Sequence, residues 1–221
     1  MYFLTDPLCP WSWAMAPLVA SVRTWTHVSF RSVLAPWLPS LAVKPAEAAK
    51  AEWAEAARVT GARIDPSYWD RVKPVTGLVA DAAVKAADFQ GAGKGEGYLD
   101  ALRHAIFEEG GDASDSTLLA GLADRAELKA DLFRGDLGVG RFSAQEVVAA
   151  LDPEMPLAES VAWFARRKML RSWEALAEDI RNADRQKLGS PAFHVVRGKK
   201  EAVLKGGTTR DALEKAIRSM S

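Results

Sequence analysis

Two short tracts of β-type patterning lie at opposite ends of the chain, with a long helical tract between them. Tyr2-Phe3-Leu4-Thr5 is a β-prone run stopped by Asp6-Pro7. From about Pro10 to Trp25 the apolar residues Trp13, Pro17-Leu18, Val22 and Trp25 recur at helical spacing. His27 to Leu34 alternates apolar and polar, as a strand does. Strand, helix and strand in so short a span make a βαβ unit, whose strands pair in parallel. Pro36, Pro39 and Pro45 then mark a crossing. From about Pro45 to Leu188 the chain is Ala-rich and helical. Segments 45–61, 76–89, 98–111 and 114–133 are each bounded by Gly, Pro or Asp, and a long amphipathic stretch runs from about Leu157 to Leu188. Residues 191–207 read as two short strands with a turn at Gly198-Lys199. Residues 208–220 read as a closing amphipathic helix, with Thr208 and Asp211 in a weak capping-box pattern. The expectation is an α/β fold in which residues 1–40 and 186–221 form one domain. An all-helical domain, 41–185, is inserted between its βαβ and ββα halves.

With 29 basic and 29 acidic residues the formal net charge is zero. That argues against the broad electropositive surface that nucleic acid or an anionic membrane requires. Arg166-Arg167-Lys168 falls inside a helical pattern. A single cysteine allows no internal disulfide and no C-x-x-C metal pair. No metal spacing, phosphate loop or Ser-His-Asp arrangement is visible. The opening MYFLTDPLCP has no basic n-region and meets Asp6 early, and no apolar run approaches a membrane span. The expected setting is soluble and cytoplasmic.

The one thiol, Cys9, stands in DPLCPWSWA (6–14), where a strand ends and a helix begins. Helix-start N–H groups are unpaired and the dipole is positive there, so a thiol pKa falls below its free value of roughly 8.5. Pro10 suits the first turn because it has no N–H to leave unpaired. Ser12, three residues on, can donate a hydroxyl hydrogen bond to the sulfur. Trp11 and Trp13 can shield it and line a pocket between the two domains. This reading makes Cys9 a solvent-accessible thiolate; a small buried hydrophobe is equally open on these residues alone. A second signal is LGSPAFHVV (188–196). Pro191 after Gly189-Ser190 is awkward in a central strand and suits a cis X-Pro turn close to Cys9, although an ordinary trans bond stays open. His27, His104 and His194 are scattered; His194 lies near the proline loop, and a structural role is the reading for it.

These features together resemble the DsbA family of thioredoxin-fold proteins. DPLCPWSW is similar to the D-P-x-C-P-W-C-[WY] motif of its cytoplasmic branch, GSPAF to its cis-proline loop, and FEEGGDASD (107–115) to a segment of its helical insert. The resemblance implies a thioredoxin-like fold and a thiol oxidoreductase. Cys9 is then the nucleophile within Cys9-Pro10-Trp11-Ser12, and Ser190 and Pro191 meet the incoming sulfur compound. The family's second cysteine falls at Ser12. A mixed disulfide on Cys9 must therefore be resolved by an outside thiol. The resemblance points to glutathione or another low-molecular-weight thiol as co-substrate, with no permanently bound cofactor. The substrate would be a small-molecule or protein thiol or disulfide. Kappa-class glutathione transferases and 2-hydroxychromene-2-carboxylate isomerases share the inserted fold and carry S-P-x-S. In that branch the loop matching Gly206-Gly207-Thr208-Thr209 holds the γ-glutamyl end of glutathione; here a plain helix cap is the alternative. Three functions follow: a monothiol oxidoreductase, a glutathione-dependent transferase or isomerase on a small apolar substrate, and a non-catalytic adaptor. The oligomeric state stays open, a homodimer included.

Overall fold

The computed structural model describes residues 1–26 and 28–220. Strand β1 (Tyr2–Thr5) leads through a short loop to helix α1 (Pro10–Ala14), then α2 (Ala16–Arg23) and strand β2 (Arg31–Leu34). The single helix expected over 10–25 is two pieces. Met15 ends α1 and caps α2, with Pro17 in the first turn of α2. A proline there has no N–H to give, and its ring crowds the carbonyl four residues back, so the helix is interrupted. The expected strand 27–34 is shorter, and His27 lies outside the described residues. Only the last four positions have partners, because β1 is four residues long: Tyr2 faces Arg31 and Thr5 faces Leu34, in parallel. Strands β3 (Ala192–Arg197) and β4 (Lys200–Lys205) form the expected hairpin, with Gly198 at positive φ in its turn. The sheet order is β2-β1-β3-β4, with β3 antiparallel to β1.

Among the described residues, nine helices and no strand run between β2 and β3. They are α3 (Ala46–Thr60), α4 (Tyr68–Arg71), α5 (Leu78–Asp88), α6 (Lys94–Phe107), α7 (Ser116–Arg125), α8 (Ala130–Leu137), α9 (Ala144–Ala149), α10 (Leu157–Lys168) and α11 (Arg171–Arg185). Helix α12 (Arg210–Ser219) closes the chain. Its cap is Thr209, whose hydroxyl accepts the Ala212 N–H, so the capping pattern assigned to Thr208 sits one residue later. Among the described residues no helix is long and apolar enough to cross a membrane.

Period-2 alternation gives the sheet two apolar faces. Phe3 and Phe193 pack with Val19, Val22 and Leu213 on one side, while Leu4 and Ala192 pack with Ala183 and Leu188 on the other. Helix α11 covers that second face. Its buried residues Trp173, Leu176, Ala177, Ile180 and Ala183 recur at helical spacing. The largest hydrophobic cluster joins Leu8, Cys9 and Leu34 to the helices of the insert. The open edge of β2 is closed by a side chain: the buried Asp179 of α11 accepts the Leu34 N–H at 3.0 Å and Lys85 Nζ of α5 at 2.9 Å. Asp179→Ala would leave the buried Leu34 N–H unpaired and the buried Lys85 ammonium with only Asp88, at 3.3 Å. A loss of about 3–5 kcal/mol is expected for breaking one side of a buried pair, read as a lower urea midpoint.

Candidate active site

Every element of the site converges on the loop between β1 and α1. Asp6 has no solvent exposure. Its Oδ1 accepts the Leu8 N–H at 2.6 Å and the Cys9 N–H at 3.1 Å, and its Oδ2 accepts the Trp37 N–H at 2.7 Å. One carboxylate thus ties the turn that presents Cys9 to the chain leaving β2. The insert grips the same loop. Trp53 Nε1 of α3 donates to the Leu8 carbonyl at 3.2 Å. Arg103 of α6, only 1% exposed, donates to Thr5 Oγ1 and to the Asp6 carbonyl. Burial pulls the Arg103 guanidinium down to about 10, against the pull of Asp100, Cys9 and Asp6.

Cys9 caps α1 with extended backbone (φ −71°, ψ 115°). Its relative exposure is 0%, which corrects the expectation of an accessible thiolate. Burial pushes its thiol up to about 11, and the charge of Asp6 pushes the same way; Ser12, through hydroxyl and N–H, and the Ser190 hydroxyl pull it down. The helix-start argument is outweighed because α1 has only five residues, while desolvation acts on the whole sulfur. The Ser12 and Ser190 hydroxyls are themselves buried and have no hydrogen-bond partner among the described residues. They come from opposite ends of the chain and meet at Cys9.

The Ser190–Pro191 peptide is cis, and its loop lies beside Cys9, as expected. It forms one wall of a 450 Å³ cleft lined by Trp11, Gly189, Ser190, Pro191, Lys205, Gly206 and Gly207. The Gly206 N–H bonds the Pro191 carbonyl at 2.9 Å, joining the two loops of the cleft. Thr208 and Thr209 do not line it, and the Thr209 hydroxyl is committed to capping α12. The segment of this loop that lines the cleft is the neighbouring Lys205–Gly207. Pro10 is buried in the first turn of α1. Trp11 and Trp13 part company. Trp13 stacks on Phe107 at 5.4 Å, donates to the Arg63 carbonyl, and borders a separate 620 Å³ hollow against α3 and α6. Trp11 therefore lines the cleft at the sheet half, and Trp13 borders the hollow against the insert. His104 is exposed beside Glu108, and His194 is buried against Tyr2 with Nε2 on Glu201.

Sequence reasoning treated Asp6 only as a turn residue and did not mark Arg103 or Asp81. Asp81, on α5, has no solvent exposure and lies against Asp6; burial, then the charge of Asp6, holds its carboxyl well above the usual carboxylate range. The D-P dipeptide before the cysteine is a signal for Asp6, since an Asp side chain there bonds the N–H groups two and three residues on. Nothing local marks the other two, which reach the loop only through the fold.

A family model described as Thioredoxin matches residues 2–155. The ClpXP adapter protein SpxH of Bacillus subtilis (strain 168) is 27% identical over 163 residues, 72% of this chain and 53% of that protein. The protein of the same name from Bacillus licheniformis is 26% identical over 163 residues, with 72% and 52% covered. The chain thus spans about half the length of these curated relatives. Cytosolic disulfide reductase DsbM from Pseudomonas aeruginosa superposes with a TM-score of 0.69 at 22% identity, covering 99% of this chain and 98% of that one. Its structure with GSH gives 0.65 at 22%, with 98% of each chain covered. These likenesses extend the shared fold past residue 155 to the proline loop and hairpin. The chain belongs to the thioredoxin family, and over nearly its whole length it shares the fold of the DsbM structures.

Proposed function

We propose that the protein carries out thiol–disulfide exchange through the single sulfur of Cys9, with glutathione or a similar small thiol as the resolving partner. The observation that carries this reading is the pair of buried hydroxyls, Ser12 and Ser190, that have no hydrogen-bond partner among the described residues and both favour the Cys9 thiolate. Burying a hydroxyl without a partner costs free energy, so a sulfur that ionises during the reaction gives the two groups a purpose. The 450 Å³ cleft beside them has the size of a small-molecule site, lined by Trp11, residues 189–191 and 206–207, and Lys205, whose ammonium donates to the Lys187 carbonyl at 3.2 Å. Lys205 suits a carboxylate of the small thiol. The glutathione-bound structure of DsbM supports the choice of thiol, and the cytosolic setting named for DsbM supports a reducing compartment.

The exchange balances without a second cysteine. The Cys9 thiolate attacks a mixed disulfide R–S–S–G at the glutathione sulfur, forming Cys9–S–S–G and releasing R–S⁻, which takes a proton. A second glutathione attacks the Cys9-bound sulfur, giving oxidised glutathione and restoring Cys9. With a thiol pKa of about 11, roughly one sulfur in ten thousand is ionised at pH 7, so the resting form is the protonated thiol. Loading of the cleft must raise that fraction or expose the sulfur.

The same burial favours a second reading, a non-catalytic adaptor that binds a protein partner across the cleft. The name of the SpxH relatives supports it. Incubation with oxidised glutathione followed by intact-mass measurement separates the two. Exchange predicts one added glutathionyl group on the wild type, removed by reduced glutathione and absent in Cys9→Ser. An unmodified wild type puts the adaptor ahead. Under the exchange reading, Ser12→Ala and Ser190→Ala each remove a hydrogen bond to a charged acceptor, at about 1.5–3 kcal/mol. The Cys9 pKa should rise by about one to two units in each, with slower iodoacetamide alkylation at pH 8.

A further inference from the structure

Asp81 lies on a helix that is buried at every position from Leu78 to Ala87, and neither oxygen of its carboxyl meets a hydrogen-bond donor. It meets the carboxyl of Asp6. Asp6 already accepts three backbone N–H groups, an arrangement that suits an ionised carboxylate. Two buried carboxylates side by side do not both ionise. The hydrogen bonds of the two nearby cations go to other groups. Arg103 of α6 donates to Thr5 Oγ1 and the Asp6 carbonyl, and Lys85 of α5 pairs with Asp179 of α11 and with Asp88. Among the described residues no cation is bonded to Asp81; Asp179 adds a further negative charge facing it, and the charge of Arg103 acts on it in the opposite sense.

We propose that Asp81 carries the one proton of the pair and donates its O–H to Asp6, so that a single negative charge stands beside Cys9 and the helical insert positions the cysteine through Asp6. The proposal deepens the exchange reading and rests on it only for the importance of Cys9. Burial raises Asp6 as well as Asp81 and the charge of Arg103 draws both back, but the N–H groups of Trp37 and Leu8 favour the carboxylate of Asp6 alone, which leaves the proton with Asp81. The charge on Asp6 disfavours the Cys9 thiolate. A second charge at Asp81 would disfavour it further, so a proton held outside the sheet half bears on the ionisation of the sulfur. Asp81 is a positioning residue in this role.

Asp81→Asn is the test, because an amide keeps the shape, the neutral state and a donor toward Asp6. The folded chain keeps a proton that an unfolded Asp releases above about pH 3.9. Its contribution to wild-type stability is therefore fully present below that pH. It is lost as pH rises, by up to about tenfold in the folding constant per pH unit, until the folded carboxyl itself titrates. Urea titrations from pH 4.5 to 8 should show this slope in the wild type and a flatter one in Asp81→Asn, which should equal or exceed wild-type stability at pH 8. An infrared band of an un-ionised carboxylic acid should be present at pH 7 in the wild type and lost in Asp81→Asn. The pH profile of Cys9 alkylation should stay within twofold of wild type in Asp81→Asn and move to lower pH in Asp6→Asn. A wild type without the acid band overturns the proposal. So does an Asp81→Asn chain that fails to fold, or one whose Cys9 profile moves to lower pH. The infrared and stability readouts need neither Asp6→Asn nor any exchange activity, so failure of the exchange reading would leave them decisive.

Discussion

The carboxylate of Asp6 is the constraint on which the site depends. It is buried, it accepts N–H groups from Leu8, Cys9 and Trp37, and these belong to the chain leaving β1 and the chain leaving β2. Parallel strands end at the same edge of a sheet, so two loops emerge together there and their backbone donors need a shared acceptor. One acidic side chain meets that need and sets the backbone of Cys9 at the cap of α1. The same charge makes the sulfur harder to ionise. The group that builds the turn therefore opposes the chemistry that the turn presents, and the hydroxyls of Ser12 and Ser190 act in the other direction.

Magnitudes decide which influence prevails at rest. A helix terminus contributes about 0.3–1 kcal/mol at an exposed site, and hydrogen bonds to a charged acceptor about 1.5–3 kcal/mol each. Desolvation of a fully buried ion can exceed their sum, since buried groups shift by as much as 3–5 pK units. Cys9 is at 0% exposure, so its thiol stays protonated in the resting state. Reactivity then depends on what enters the cleft between Trp11 and the 189–191 and 205–207 segments.

Local chemistry made much of this readable in the sequence. The hairpin turn at Gly198, the cis Ser190–Pro191 bond and the parallel pairing of β1 with β2 follow from residues adjacent in the chain, or from the frame they build. The cap at Thr209 and the break at Met15 were missed by a residue or by one proline, because a capping hydroxyl and a ring clash act over a single turn. The burial of Cys9 was not readable. It depends on packing with the tryptophan-rich cluster of Trp37, Trp53 and Trp69, whose members lie far along the chain. Arg103 and Asp81 have nothing in their own neighbourhoods to distinguish them from other charged residues of an Ala-rich helix.

That asymmetry bears on the role of the insert. The sheet half supplies the groups that touch the sulfur: Ser12 from α1 and Ser190 from the loop before β3. The insert supplies groups one layer behind, namely Trp53 on the Leu8 carbonyl, Arg103 on Thr5 and Asp6, and Asp81 on Asp6. Asp179 adds the bond that closes the edge of β2. A buried hydrogen-bonded layer of this kind restricts the motion of the groups it supports, because each displacement leaves a polar atom unpaired. The orientation of the Cys9 loop is thus determined by helices whose sequence carries no thiol chemistry. Substitutions in α5 or α6 would reach the sulfur through Asp6 before they altered the cleft itself.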